Sequence, residues 1–225
     1  MTGMSNLTEP DEEPLSVEEN PKSGDSSYNN NMRRWFHLIT ISILALVYGL
    51  SSLTWQAVLF PLGVTSLFVI GFDLLRLHVS HLNWLVQNSF DFILRKHEFH
   101  SLSGTSWLLI AAIICIIIFP KMAVTLGFLY LAFGDPTASY VGIKWGSKGV
   151  GNKTWIGSLG FFLVCTAIGF PCLLLVTTWK KAFIIAAIPA LVSAIVERSL
   201  REMDDNLAIP ITATGLLALL MAILI

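Results

Sequence analysis

Charge is what this sequence has least of. Asp, Glu, Lys and Arg make up 13% of its 225 residues, about half the share an ordinary soluble domain carries. Hydrophobic residues supply 54% and mean hydropathy is +0.70, so a water-soluble globule is excluded. The apolar residues show no dyad alternation, which excludes a membrane β-barrel and leaves lipid-facing helices. Cysteine is scarce too. Cys115, Cys165 and Cys172 all fall inside apolar blocks, as small hydrophobes do, so neither a disulfide framework nor a metal site is expected from them. A cleavable signal peptide is absent from view, because the first apolar block begins near Trp35 behind an acidic leader. Net charge is −1, and no nucleic-acid partner is expected.

What is present falls into blocks. Residues 1–32 are polar and poor in aromatics, too polar to offset their ordering entropy, and are expected to form a disordered cytoplasmic leader. Residues 33–225 then form an all-α, polytopic membrane domain. Its seven apolar blocks lie near 35–52, 54–72, 105–119, 122–134, 157–178, 182–196 and 207–225. The third and fourth are short for a hydrocarbon core of about 30 Å. They form either a hairpin turning at Pro120-Lys121 or one kinked helix. Basic residues choose between the two. With a hairpin and an inner N-terminus, eleven of the 14 basic residues face the cytoplasm and only Lys121, Lys180 and Lys181 lie outside. One kinked helix lowers the inner count to eight. The positive-inside rule selects the hairpin and about seven spans. All 15 acidic residues then share the cytoplasmic face, although acidic residues did not enter the choice.

Four inner segments carry the polar chemistry. The first is Arg33-Arg34-Trp35-Phe36-His37, where both arginines share a helical face with His37; an interfacial anchor accounts for it as readily as a site does. The second runs from Asp73 to Gly104 and holds Asp73, Arg76, Arg95, Lys96 and Glu98. Leu82, Trp84, Leu85, Phe90, Phe92, Ile93 and Leu94 recur there at helical intervals, as in an amphipathic helix lying in the interface. The third begins at Gly134-Asp135 and continues through Gly142, Lys144, Gly146, Lys148 and Gly151 to Lys153. Glycines admit phosphate oxygens to backbone N–H groups, lysines neutralise them, and a carboxylate can hold a divalent cation. A P-loop is excluded: Asn152 is one residue too many, and no strand precedes the run. The fourth is Glu197 to Asn206. Glu197, Arg201 and Asp205 are spaced four apart, as on one helical stripe, and Asp204, Asp205 and Asn206 crowd acceptors in a way a cation would relieve.

At these residues the chain resembles the CTP-dependent lipid kinases, a family that includes dolichol kinase, phytol kinase and the eukaryotic-type CTP-dependent diacylglycerol kinase. More distantly it is similar to phosphatidate cytidylyltransferases. The resemblance runs from about Met32 to the C-terminus. It rests on Arg33-Arg34 with His37, Asp73 with Arg76, Arg95-Lys96 with Glu98, Gly104 and Trp107, Gly134-Asp135 with Ala138 and Gly142, Lys153-Thr-Trp-Ile-Gly157-Ser158, and Glu197 with Asp205-Asn206 and Pro210. In that family the residues matching Arg33, Arg34, Asp135 and Gly142 are essential. Arg34 stands where relatives often carry Lys. Ile156 replaces a frequent Glu, and the Ser-Pro-Lys-Lys-Thr run of the cytidylyltransferases is absent. Both of the latter departures favour the diacylglycerol-kinase branch.

The resemblance implies transfer of the γ-phosphate of CTP to a lipid hydroxyl, on diacylglycerol or a polyprenol, in a bacterial inner membrane or the endoplasmic reticulum. Mg²⁺ is then expected on Asp135, Asp205 and Asn206. Arg33, Arg34, Lys148 and Lys153 face the triphosphate, and Gly142, Gly146, Gly157 and Ser158 complete the nucleotide site. The Gly142–Gly151 loop folds over the nucleotide. Asp135 or Glu98 is the candidate base, and His37, Asp73, Arg76, Arg95 and Glu197 serve the head group or support the site. Cytidylyl transfer to phosphatidate is the rival enzyme activity. A small transporter is the rival outside enzymes, disfavoured by helix interiors almost free of ionisable residues.

Overall fold

The computed structural model describes residues 23–90, 96–146, 153–199 and 203–225. Arg95, Lys148, Arg201 and the leader up to Lys22 lie outside them, as does the side chain of Arg33. The described residues form eight α-helices, one 3₁₀ turn and no strand. The helices are α1 (Ser23–Leu50), α2 (Trp55–His78), α3 (Ser80–Phe90), α4 (Gly104–Ile118), α5 (Lys121–Trp145), α6 (Trp155–Leu174), α7 (Trp179–Ser199) and α8 (Asp205–Leu224), with the 3₁₀ turn at Lys96–His100. Each expected apolar block falls in one of these helices, and α3 carries Leu82, Trp84, Leu85 and Phe90 of the expected amphipathic segment, whose Phe92, Ile93 and Leu94 lie outside the described residues. Helix α1 starts ten residues before the expected domain boundary, so residues 23–32 are helical. Four helices, α2, α6, α7 and α8, are long and apolar enough to cross a membrane.

Local chemistry sets the helix starts. Thr54, Ser103, Thr154 and Asp204 occupy N-cap positions in extended backbone, and their side chains accept from Ala57, Ser106, Gly157 and Asn206 N–H groups, as these residue types do best. Proline 120 starts α5, where its missing N–H is one the helix could not have used.

Helix α5 is the centre of the bundle and packs on α1, α6 and α8. It is apolar nearly all round, as a helix enclosed by neighbours must be. Small residues bring the helices close. Gly134 faces the Phe161 ring, Gly127 faces Thr214, and Gly169 faces the Tyr130 hydroxyl. Ala182, Ala186, Ala190 and Ala194 form a buried stripe on α7. Such contacts replace the hydrophobic driving force that lipid removes.

These contacts also fix direction. Gly127 meets Thr214 while Asp135 meets Asp205, so α5 is antiparallel to α8. Gly104 meets Asn206 and Phe119 meets Gly215, so α4 is parallel to α8. Helices α4 and α5 therefore run in opposite directions, and the kinked-helix alternative is excluded. By the same reasoning α1, α2, α4, α5, α6, α7 and α8 alternate in direction. The start of α1, the end of α2, the starts of α4, α6 and α8, and the ends of α5 and α7 all meet at one end.

Candidate active site

That end encloses a cavity of about 780 Å³, within the range of small-molecule sites. Three helix N-termini open onto it: Gly104 and Thr105 of α4, Gly157 and Ser158 of α6, and Asp205 and Asn206 of α8. Each turns the positive end of a helix dipole toward the cavity, with the Gly157 and Asn206 N–H groups already taken by the Thr154 and Asp204 caps. Arg34 and His37 of α1 line another wall, and Asp135, Ser139 and Gly142 of α5 a third.

Three carboxylates meet within this cavity. Asp135, Glu197 and Asp205 each bring an oxygen within 4.8 Å of the other two. The arrangement follows from helix register. On α7 the four-residue stripe Ile185, Pro189 and Ser193 is buried, and its next member is Glu197. The N-cap at Asp204 starts α8 and sets Asp205 on its first turn. Glu197 lies in α7, which ends at Ser199, and Asp205 starts α8; Arg201, the middle member of the stripe expected from their spacing, lies outside the described residues. Three clustered carboxylates fit a hard, oxygen-seeking divalent cation. Glu197 joins the expected Asp135 and Asp205 in this cluster, and Asn206, which also lines the cavity, lies against Gly104 and donates its backbone N–H to Asp204 Oδ1 at 2.9 Å.

Lysine 153 lies against two of the carboxylates. Its Nζ is 3.0 Å from Glu197 Oε1 and 3.2 Å from Asp205 Oδ2. Burial disfavours its charge, but Asp205 and then Glu197 outweigh burial and hold the ammonium above the ordinary lysine range. It therefore stays charged throughout the neutral pH range. Arg34 donates from Nη2 to Ser139 Oγ at 2.8 Å, which ties α1 to α5 one helical turn from Asp135. Ser139 and Thr154 are cavity residues that sequence reasoning missed. Their signals were present: Ser139 follows Asp135 by four residues, and Thr154 precedes an apolar helix as a cap does.

The glycine segment departs from expectation. Helix α5 does not stop at Gly134 but continues through Asp135-Pro136 to Trp145. Gly142 is helical, and Gly146 donates its N–H to Gly142 O at 3.0 Å. Within this stretch the N–H groups serve the helix, so a phosphate-cradling loop beginning at Gly142 is not what forms; residues 147–152 lie outside the described set. Close packing explains the two glycines. A Cβ on Gly142 would lie 2.8 Å from Thr154 Oγ1, and one on Gly146 would lie 2.7 Å from the same oxygen. Gly157 likewise lies where a Cβ would meet Ala138 O at 2.6 Å.

Asp73 and Arg76 lie behind the cavity. Arg76 is 1% exposed and Asp73 4%, so neither is open to a head group. Arg76 Nε donates to Asp73 Oδ1 at 2.5 Å, and its Nη2 donates to Glu98 O and Ser101 O, both at 3.0 Å. Asp73 Oδ2 accepts from Ser103 N–H and Ser106 Oγ, both at 2.7 Å. The pair binds the end of α2 to the 3₁₀ turn and the start of α4. It thereby sets the buried Glu98 into the cavity wall. Of the expected residues, Arg34, His37, Glu98, Asp135, Gly142, Gly146, Lys153, Gly157, Ser158, Glu197, Asp205 and Asn206 meet at this cavity.

No family model matches the chain, and no solved structure does. The chain is 27% identical over 185 residues to an uncharacterized protein of Rickettsia prowazekii, a match covering 80% of this chain and 89% of that one. It is 28% identical over 174 residues to the CTP-dependent diacylglycerol kinase 1 of Schizosaccharomyces pombe, covering 66% and 74% of the two chains. A third relative, the CTP-dependent diacylglycerol kinase 1 of Eremothecium gossypii, is 30% identical over 135 residues, or 59% of this chain and 42% of that one. The match therefore spans less than half of the Eremothecium protein.

Proposed function

We propose that the protein is a multi-pass membrane lipid kinase, with seven spans and its N-terminus and cavity on the cytoplasmic side, that transfers the γ-phosphate of CTP to the hydroxyl of a lipid. Diacylglycerol, giving phosphatidate, is the first acceptor to test and a polyprenol the second. The observation that carries this reading is the meeting of Asp135, Glu197 and Asp205 with Arg34 and three helix N-termini in one cavity at a bundle end. The similarity to two CTP-dependent diacylglycerol kinases supports CTP as the donor.

Phosphoryl transfer asks for positioning and charge neutralisation more than covalent chemistry, and this residue set offers both. Asp135, Glu197 and Asp205 would hold a divalent cation such as Mg²⁺. When bound, such an ion would supply positive charge to offset that of the phosphates. Arg34 would present a guanidinium to the phosphates, and the α4 and α6 N-termini add the positive ends of their helix dipoles. Glu98, buried in the wall beside Gly104, is placed to accept the proton of the attacking hydroxyl. Aromatic residues fit an interface at this level. Trp35, Trp145 and Trp155 are exposed around the cavity end, and Trp55 and Trp179 around the other, as in the two belts of a spanning protein.

The test uses purified full-length protein in mixed micelles with diacylglycerol, a divalent cation and labelled CTP. A γ-label is expected in the lipid, and Asp135→Asn is expected to lower transfer by about 100- to 1,000-fold, the loss typical of one transition-state charge partner. An α-label in a lipid product from phosphatidate would make the protein a cytidylyltransferase. Wild-type transfer by the Asp135→Asn protein would remove the carboxylate cluster from the mechanism. Replacing diacylglycerol with a polyprenol or another long-chain alcohol in the same assay identifies the acceptor.

A further inference from the structure

Lysine 153 stands where the carboxylate cluster calls for a cation. Four oxygens surround its Nζ: Glu197 O at 2.5 Å, Glu197 Oε1 at 3.0 Å, and both oxygens of Asp205 at 3.2 Å. An ammonium has three hydrogens to donate. Four acceptors therefore account for all of them, and none is left for a phosphate. A lysine already held as a phosphate clamp would instead turn its donors toward open cavity. A divalent cation joining Glu197 and Asp205 draws their oxygens to about 2.0–2.6 Å, which sets it close against the ammonium and makes the two positive charges compete for the same carboxylates.

Both requirements are met by one movement. We propose that Lys153 is the resident counter-ion of the Asp135–Glu197–Asp205 cluster, displaced when a divalent cation enters, and that this displacement frees its ammonium for the nucleotide phosphates. The inference rests on the kinase reading above and deepens it, by making metal entry and nucleotide binding mutually supportive. The side chain is suited to the exchange: it is 31% exposed, and a four-carbon stem lets the ammonium swing without moving the backbone. A resident charge also lets three carboxylates persist side by side before any metal arrives, where otherwise mutual repulsion would protonate or separate them. Bare metal is held weakly because it must first evict a charge; metal arriving with a nucleotide offers the evicted ammonium a new partner.

The experiment measures Mn²⁺ binding, by loss of the free-ion paramagnetic resonance signal, to the detergent-solubilised full chain without nucleotide. Lys153→Met is expected to bind Mn²⁺ about tenfold more tightly than the wild type, since a unit charge a few ångströms away is removed. Lys153→Arg, which keeps the charge, is expected to stay within about twofold of the wild type on the same argument. Equal or weaker binding by Lys153→Met overturns the proposal, as does a rise in Lys153→Arg as large as that in Lys153→Met. A reading on the wild type alone guards against a variant that fails to fold. Amine labelling of Lys153, followed by mass spectrometry, should increase when saturating Mn²⁺ is added, and unchanged labelling overturns the displacement. Absence of Mn²⁺ binding in every form removes the metal site itself, and with it the kinase mechanism above. Binding that ignores position 153 removes only the counter-ion role.

Discussion

The two ends of this bundle are made by the same helices and put lysine to different uses. At the far end Lys121 donates to Ser51 O at 2.6 Å and Leu53 O at 3.1 Å, and Lys181 donates to Leu224 O at 2.6 Å. Both satisfy carbonyls that a helix end leaves open. At the cavity end Lys153 also donates to a helix-end carbonyl, Glu197 O, but it is held as well by two carboxylates that no helix needs for its own stability. Among the described side chains Asp73, Glu98, Asp135, Glu197, Asp204 and Asp205 all lie at the cavity end. Lys121, Lys180 and Lys181 are the charges of the other. One end is capped, and the other carries acidic groups gathered around open space. The difference separates polar groups that complete a fold from polar groups that the fold is arranged to present.

The cavity end itself divides in this way, and the largest expected effect on stability tests the division. Asp73 and Arg76 are buried at the active end yet act as structure. Arg76→Met leaves Asp73 as a buried, unpaired charge and is expected to destabilise the protein by about 3–5 kcal/mol, measured by thermal or denaturant unfolding in detergent. Activity falls as well, since the turn bearing Glu98 loses its anchor. Adding Asp73→Asn to that variant is expected to recover part of the stability, because the uncompensated charge goes. If Arg76→Met keeps full stability and loses only lipid transfer, the pair belongs with the presented groups. Midway between the ends, Gly169→Ala forces a methyl toward the Tyr130 hydroxyl, which donates to Ala186 O at 3.0 Å. Overpacking there is expected to remove about 1–3 kcal/mol while leaving turnover per folded molecule intact.

How much of this was legible in the sequence depended on which solvent a segment faces. Lipid-facing and core-facing helices announce themselves through apolar blocks, and the basic-residue balance was enough to choose the α4–α5 hairpin that the packing of both helices on α8 supports. Convergence of Arg34, Asp135, Lys153 and Asp205 on one end followed from the same count. The cavity wall was harder. Apolar character stops at Gly134 because the next turns of α5 face a polar cavity, and polarity without a change of secondary structure reads as a loop. Glu197 could be found from the four-residue stripe of Ile185, Pro189 and Ser193, but its spacing to Asp205 suggested one helix, whereas Asp204 is the N-cap that starts α8. Asp73 and Arg76 have the three-residue spacing of a helical ion pair, and nothing local says whether such a pair is buried as a brace or exposed to a head group. The partners of Lys153 lie 44 and 52 residues away, beyond any local pattern.

The smallest expected effect is also the sharpest check on the contrast between the ends. Lys121 touches two carbonyls and lies 5.1 Å from the centre of the Tyr48 ring, so it has three weak partners rather than one strong one. Its loss should expose carbonyls that water at a membrane surface can serve in its place, limiting the penalty to about 1 kcal/mol. Lys121→Met is therefore expected to shift the unfolding midpoint slightly and to leave phosphoryl transfer and Mn²⁺ binding at wild-type values, whereas Lys153→Met changes both. Methionine keeps most of the apolar stem, so packing against Tyr48 survives and the comparison isolates the ammonium. Should Lys121→Met alter metal binding as strongly as Lys153→Met, the two ends would be coupled through α5, the helix that carries both Lys121 and Asp135. The separation of a capped end from a presenting one would then fail.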